Sequence, residues 1–99
     1  MMRADSVQAF DLASRTWVAP QQNMVVADQA GRIAWVAPAR VPVRSEEHDL
    51  KGVVPALGWE ARYDWVGTIP VAQLPREEDP ARGWIATANH RIHAADYPH

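Results

Sequence analysis

The sequence predicts an α+β chain with a short N-terminal helix, an antiparallel hairpin, a long irregular loop and one further strand. Apolar residues recur at helical spacing over residues 5–17, and two apolar runs flank a turn signal over residues 23–37. Prolines crowd residues 38–80, which predicts irregular structure. A last apolar run at residues 84–91 predicts the further strand.

Residues 5–17 are predicted to form the helix. Spacings of three and four place one mostly apolar stripe on it, formed by Val7, Phe10, Ser14 and Trp17. Asp5 followed by Gln8 resembles a capping box, in which a carboxylate accepts the first free backbone N–H groups. Pro20 excludes any continuation of the helix.

Residues 23–37 are predicted to form the hairpin, with strands Met24–Ala27 and Ile33–Ala37. Asp28 at the first turn position and Gly31 at the fourth suit a type I turn. We expect a positive φ at Gly31 and a hydrogen bond from a turn N–H to Asp28. Both strands are apolar on both faces, so the sheet should be covered on each side.

Residues 38–80 hold six of the eight prolines and show no lasting periodicity. A single helical turn is expected over residues 71–74, directly after Pro70. So long an irregular segment is uncommon in a compact domain unless it lies against something else. A hairpin and one strand are also marginal as an independent fold. The sequence therefore predicts a single piece, residues 1–99, of a larger domain.

Composition excludes several classes of partner and chemistry. The net charge of −2 gives no electrostatic case for nucleic acid or an anionic membrane surface. No apolar run approaches the roughly 20 residues that span a bilayer, and the first residues do not resemble a signal peptide. The absence of cysteine excludes disulfides, thiolate metal sites and cysteine nucleophiles.

Most polar residues that could carry chemistry are better explained structurally. None of the three serines, Ser6, Ser14 and Ser45, lies in a Gly-x-Ser-x-Gly elbow. His90 and His93 would point to opposite faces of a strand, so no metal site is predicted. The acidic clusters 46–47 and 77–79 are typical of solvated turns.

Asn89 is the one candidate catalytic residue. It follows the last apolar run and would share a strand face with Ile85 and Thr87. A buried amide there needs hydrogen-bond partners, which is a structural role, and chemistry alone favours it. The alternative is a side-chain N–H donor directed at a reacting carbonyl oxygen.

Several separated motifs resemble the penicillin acylase family in order and spacing, over roughly residues 17–98. Residues 20–33 resemble its hairpin, P-x-Q-N-x-x-Y-A-D-x-x-G-x-I. Residues 37–44 resemble A-P-G-R-x-P-x-R, residues 63–70 resemble W-x-G-x-I-P, and residues 83–92 resemble G-x-I-x-T-A-N-N.

The resemblance implies an N-terminal-nucleophile hydrolase with a four-layer αββα fold, made as a precursor that cleaves itself. A serine at the new N-terminus of the β-chain attacks an amide, with its own α-amino group as base. An asparagine side chain and a backbone N–H hold the oxyanion, and that asparagine maps onto Asn89. The family's next asparagine is replaced by His90. The resemblance therefore favours the oxyanion role for Asn89.

The resemblance also implies what lies outside this chain. The catalytic serine would be elsewhere in a longer parent protein, so the chain alone is predicted to be inactive. Its partners would be the remainder of the β-chain, the α-chain and an N-acyl small-molecule substrate, without nucleic acid or membrane. The parent would be periplasmic or secreted. No cofactor is expected on this chain, although the parent could hold a structural calcium.

Two alternatives stay open at this point. One is a non-catalytic binding module built on the five tryptophans, and the other is a diverged relative that only binds acyl compounds. Self-association of the chain is also expected if its apolar strands lack their covering layers. The resemblance leaves three kinds of acyl group open for the parent, namely phenylacetyl, glutaryl and the fatty chains of homoserine lactones, and it suggests a part in antibiotic biosynthesis.

Overall fold

The computed structural model describes residues 3–88 and 90–98. Its elements are α1 (Val7–Ser14), β1 (Met24–Ala27), β2 (Ile33–Val36), β3 (Pro42–Arg44), β4 (Trp65–Thr68) and β5 (Arg76–Glu78). Two short 3₁₀ turns span Ala61–Tyr63 and Val71–Gln73. The described residues form two compact units, one from residues 1–39 and 71–99 and the other from Arg40–Pro70. The predicted α+β class is confirmed.

Helix α1 is shorter than the predicted 5–17 at both ends. It begins after Ser6 and not Asp5, because the Ser6 hydroxyl accepts the Ala9 amide at 3.2 Å and forms the N-cap. It ends at Ser14, whose hydroxyl donates to the Asp11 carbonyl at 2.8 Å. In a longer helix the Asp11 carbonyl would accept the Arg15 amide. The Arg15 amide instead donates to the Leu12 carbonyl at 3.4 Å.

The hairpin forms as predicted, with Met24 opposite Val36 and Ala27 opposite Ile33. The Gly31 amide donates to the Asp28 carbonyl at 3.1 Å, and Gly31 has φ of 80°. The Asp28 carboxylate accepts the Ala30 amide at 3.0 Å. Both expectations for this turn are confirmed.

Strand β2 is the centre of a three-stranded antiparallel sheet in the order β1-β2-β5. Ala34, Trp35 and Val36 are consecutive and all buried, so both faces of β2 are covered. Strand β1 alternates between half-buried and exposed residues. The prediction of a sheet covered on both sides is therefore right for β2 and wrong for β1 within this chain.

The segment 38–80 is not the predicted irregular loop, since it contains β3, β4 and β5. Each strand has three or four residues, too few to show a period of two. Strand β5 consists of charged residues, so no apolar pattern marks it. Its pairing with β2 joins residues at least 40 positions apart, which local sequence does not reveal. The expected turn after Pro70 is present at Val71–Gln73.

The predicted strand over residues 84–91 is not formed in its described part, residues 84–88 and 90–91. A strand needs a neighbour whose backbone groups it can pair with. Strand β2, the central strand of this unit, already has β1 on one edge and β5 on the other. The apolar run therefore lies beside the sheet without joining β2.

The unit Arg40–Pro70 is built on an antiparallel pair of β3 and β4 that is interrupted by a bulge next to Arg44. Its most buried polar group is His48, whose Nδ1 accepts the Lys51 amide at 2.9 Å. The Tyr63 ring meets the His48 ring edge-on at 5.2 Å, and the Arg62 guanidinium lies 4.6 Å from the Tyr63 ring centroid. Polar and aromatic contacts, more than aliphatic packing, thus hold this unit together.

Candidate active site

The segment that leads to the predicted site residue keeps a strand-like alternation of burial. Ile85 and Thr87 are half-buried, whereas Trp84, Ala86 and Ala88 are exposed. In an extended chain every second side chain points to the same side, so the burial pattern indicates one inward face.

The segment borders a cavity of about 140 Å³. It contributes Ile85, Ala86, Thr87 and His90, so residues from both sides of the segment reach the cavity, and Trp35 of β2 forms another part of the lining. Asn89 lies in sequence between two lining residues, but it is outside the described residues. Its oxyanion role therefore stays a prediction, now with a cavity formed by its neighbours in sequence.

An ion pair between Glu77 and Arg82 lies at the edge of the same cavity. Arg82 Nη1 donates to Glu77 Oε1 at 2.7 Å, and a second, parallel bond joins Nη2 to Oε2. The hydrogen bond from Arg82 lowers the pKa of the Glu77 carboxyl. Glu77 is therefore held as a carboxylate and is unsuited to donate a proton near neutral pH.

The Arg82 guanidinium also lies 5.2 Å from the Trp84 ring centroid. Such a stacked cation adds roughly 0.5–1 kcal/mol at exposed sites. The turn between Glu77 and Arg82 is closed by the Gly83 amide, which donates to the Pro80 carbonyl at 2.8 Å. These contacts fix the start of the segment that precedes Asn89 in the sequence.

Trp35 contributes a buried donor without an acceptor. The side chain is 7% exposed, and Nε1 has no hydrogen-bond partner among the described residues. Burying such a group unpaired costs about 1–3 kcal/mol. The sequence did not indicate that Trp35, Glu77 and Arg82 would line a cavity. The signal for Trp35 was its place in a strand that is apolar on both faces.

His90 stands where the family has a second asparagine. Its Nδ1 accepts the Ala88 amide at 3.2 Å. In the neutral ring the proton must then be on Nε2, since a nitrogen that accepts cannot carry it. The His90 imidazole is thus hydrogen-bonded to the backbone of Ala88, two positions earlier in the sequence.

All three serines are engaged in local backbone hydrogen bonds. The Ser6 and Ser45 hydroxyls accept the Ala9 and Glu47 amides, both at 3.2 Å. Ser14 is 2% exposed, and its hydroxyl donates to Asp11. The Ser6 hydroxyl also donates to the carboxylate of its neighbour Asp5 at 3.4 Å in an exposed contact.

The acidic run 77–79, at the end of β5, anchors the sheet. Glu78 pairs with Arg32, and Asp79 accepts Arg32 Nε at 3.0 Å and the Ile33 amide at 2.9 Å. The Ile33 amide and then Arg32 lower the pKa of Asp79. The run is therefore better understood as a set of fixed carboxylates than as an acid/base pair.

Metal-binding side chains do not gather in the part of the chain that the structure describes. No three His, Cys, Asp or Glu residues there could hold one ion. The His93 ring is instead tilted against Tyr97 at 5.0 Å. These residues alone do not fit the structural calcium that the resemblance allows. No helix over residues 3–88 and 90–98 is long and apolar enough to cross a membrane.

Comparison with known proteins places the chain in a family. The model of the penicillin amidase family matches residues 1–99. The chain therefore belongs to the penicillin amidase family.

Its relatives include enzymes that are named for two kinds of substrate. The acyl-homoserine lactone acylase QuiP of Pseudomonas fluorescens is 41% identical over 98% of this chain. The penicillin acylase 2 proenzyme of a Pseudomonas species is 42% identical over 92% of it, and penicillin G acylase of Escherichia coli is 34% identical over 77%. The chain spans only 12%, 11% and 8% of the length of these relatives, respectively.

Proposed function

We propose that the chain is part of a longer amide-bond hydrolase that removes the acyl group from N-acyl small molecules. The observation that carries this proposal is the family match along residues 1–99. The longer protein would have the four-layer αββα fold, arise by self-cleavage and use an N-terminal serine as nucleophile. That serine is not on this chain, which agrees with the structural contacts of all three serines here.

The contribution of this chain to the reaction is stabilisation of charge. When the serine oxygen attacks the amide carbonyl, the carbonyl oxygen becomes an oxyanion in a tetrahedral intermediate. We assign one hydrogen bond to this oxyanion to the Asn89 side-chain N–H, with a backbone N–H from elsewhere as the second donor. Asn89 stays neutral throughout, so it transfers no proton.

The substrates for which the relatives are named share one chemical feature. Penicillins and acyl-homoserine lactones both carry a secondary amide whose nitrogen is attached to a ring next to a ring carbonyl. We therefore propose an N-acyl amide of this type as the substrate of the longer protein.

The test is to express the genomic reading frame that contains these residues and to analyse the product by mass and activity. We expect a precursor that is cut before a serine, and hydrolysis of phenylacetyl or long-chain acyl amides afterwards. A frame without such a serine, or a processed protein that hydrolyses none of these amides, would overturn the proposal.

A further inference from the structure

The unit Arg40–Pro70 exposes most of its large apolar side chains. Seven of them are exposed, namely Val43, Val53, Val54, Leu57, Trp59, Trp65 and Val66. Among the described residues of this unit, Ile69 is the one large apolar side chain that is buried. Trp59 is 81% exposed and Val53 84%. A surface so apolar generally marks an interaction site.

Three of these exposed side chains, Val43, Trp65 and Val66, belong to strands β3 and β4. Val43 and Arg44 are consecutive on β3, so they point to opposite faces. Trp65 pairs with Arg44 and therefore shares its face. Val43 and Trp65, which are 39% and 60% exposed, consequently lie on opposite faces.

The face that carries Val43 also has free space. Gly67 pairs with Val43 across the sheet, and a Cβ added to Gly67 would meet no atom within 4 Å. The β3–β4 ribbon thus has an exposed apolar side chain on each face. Water on both faces would leave it with little hydrophobic stabilisation of its own.

We infer that residues 40–70 form an arm that inserts between two apolar layers of the longer protein. This rests on the proposed function only in requiring such a protein. A second copy docked through one face, or a flat membrane surface, would cover one side of the ribbon and leave the other wet. The relatives supply the occupant, because this chain spans only 12% of the length of one of them and the rest is available to form both layers.

The test uses one polar substitution on each face, Trp65→Gln and Val43→Thr. Each is made both in the 99-residue chain and in the protein expressed from the extended reading frame. In the 99-residue chain both side chains are exposed, so neither substitution should change the Tm. In the longer protein both side chains should be buried, so each substitution should lower the Tm by several degrees. The isolated chain is the matched control for each variant.

Other outcomes identify other occupants and overturn the inference. A loss of Tm in the longer protein from only one substitution would mean that one face is covered. A defined dimer of the 99-residue chain in sedimentation that Trp65→Gln abolishes would assign the face to a second copy. Binding to phosphatidylcholine–phosphatidylglycerol vesicles through Trp65 would assign it to a membrane.

The Tm readout keeps this inference separate from the proposed function. If both substitutions lower the Tm of a longer protein that hydrolyses no amide, the arm stands and the function fails. If the longer protein is active and neither substitution affects its Tm, the arm fails and the function stands.

Discussion

Asn89 and Trp35 are singled out by different kinds of evidence. The role of Asn89 is proposed from the family resemblance, and its neighbours in sequence, Thr87 and His90, line the cavity. Trp35 is visible in the structure as a buried indole whose N–H has no acceptor among the described residues. A chemical role is thus predicted for Asn89, whereas the unpaired N–H of Trp35 indicates a local cost in the free energy of folding.

For Asn89, we expect Asn89→Ala in the processed longer protein to lower the acylation rate by roughly 10²–10³, because one oxyanion donor is worth about 2.7–4 kcal/mol. Thermal stability should change little. Single-turnover acylation and melting on the same sample separate the two effects, after mass confirms processing. Gln29→Ala, at an exposed amide in the hairpin turn, is the control and should leave the rate unchanged. Near-normal acylation by Asn89→Ala would show that Asn89 is structural.

For Trp35, we expect Trp35→Phe to destabilise the chain far less than Trp35→Ala. The alanine variant should lose about 3–5 kcal/mol of unfolding free energy, since it leaves a large void in the packing. Phenylalanine retains most of the apolar contact and removes a donor that makes no bond. Urea denaturation of both variants measures the difference. Equal losses would mean that the indole N–H has an important acceptor in solution.

At the scale of elements, the hairpin turn is the best-determined feature of the chain. Asp28 accepts three backbone amides through its carboxylate, from Val7, Ala30 and Arg32 at 3.0–3.1 Å. Gly31 supplies the left-handed residue that a three-residue hairpin loop requires. The turn therefore fixes the register of β1 on β2 and connects the hairpin to the first turn of α1.

We expect Gly31→Ala to lower the unfolding free energy by about 1–2 kcal/mol, because a Cβ is strained at positive φ. No atom lies within 4 Å of that Cβ, so the loss would come from the backbone and not from a clash. Gly58→Ala is the matched control, since Gly58 has equal space and no positive φ. Denaturant unfolding gives both values. Equal stability of the two variants would contradict the strain argument.

The carboxylates that join these elements predict a dependence of stability on pH. The Val7 amide and then the Arg32 amide lower the pKa of Asp28 from its ordinary 3.8. Burial would raise the pKa of Asp11, but Arg15 and Arg76 outweigh it and lower the value. A carboxyl with a lowered pKa stabilises the fold above its unfolded pKa, and this stability is lost as pH falls through the folded pKa.

Unfolding free energy should therefore be level above about pH 5 and fall as the pH is lowered through 4 and below. Urea denaturation between pH 7 and 2.5 measures this. Asp28→Asn removes one of the titrating groups and should flatten part of the curve. A stability that rises on acidification would contradict the assignment.

Local sequence predicted the elements whose signals are local. Asp28 and Gly31 marked the turn, and the apolar runs on either side marked β1 and β2. Strands β3, β4 and β5 were missed because each is short and pairs with a distant segment. The cavity lined by Thr87 and His90 was missed because its other lining residues, among them Trp35 and Glu77, are brought there by pairing of distant strands. The role of Asn89 came from family motifs and not from its chemistry.

At the scale of the whole molecule, the proposal is that this chain contributes an oxyanion donor and that the nucleophile lies elsewhere in the longer protein. Each serine is engaged in its own local hydrogen bond, and no three metal-binding side chains gather among the described residues. We expect no hydrolysis of phenylacetyl or long-chain acyl chromogenic amides by the purified 99-residue chain. The processed longer protein is the positive control. Turnover by the chain that survives repurification would mean that it has a nucleophile of its own.

The three amides on Asp28 also bear on the order of events in folding. The first amides of a helix normally have no partner within the helix and fray readily. The Val7 amide instead ends on a carboxylate 21 residues away, in the turn of the hairpin. The start of the helix and the closing of the hairpin therefore share one bond. Opening of either element breaks this bond, because the helix supplies its donor and the hairpin its acceptor. The two elements are therefore expected to open and close together.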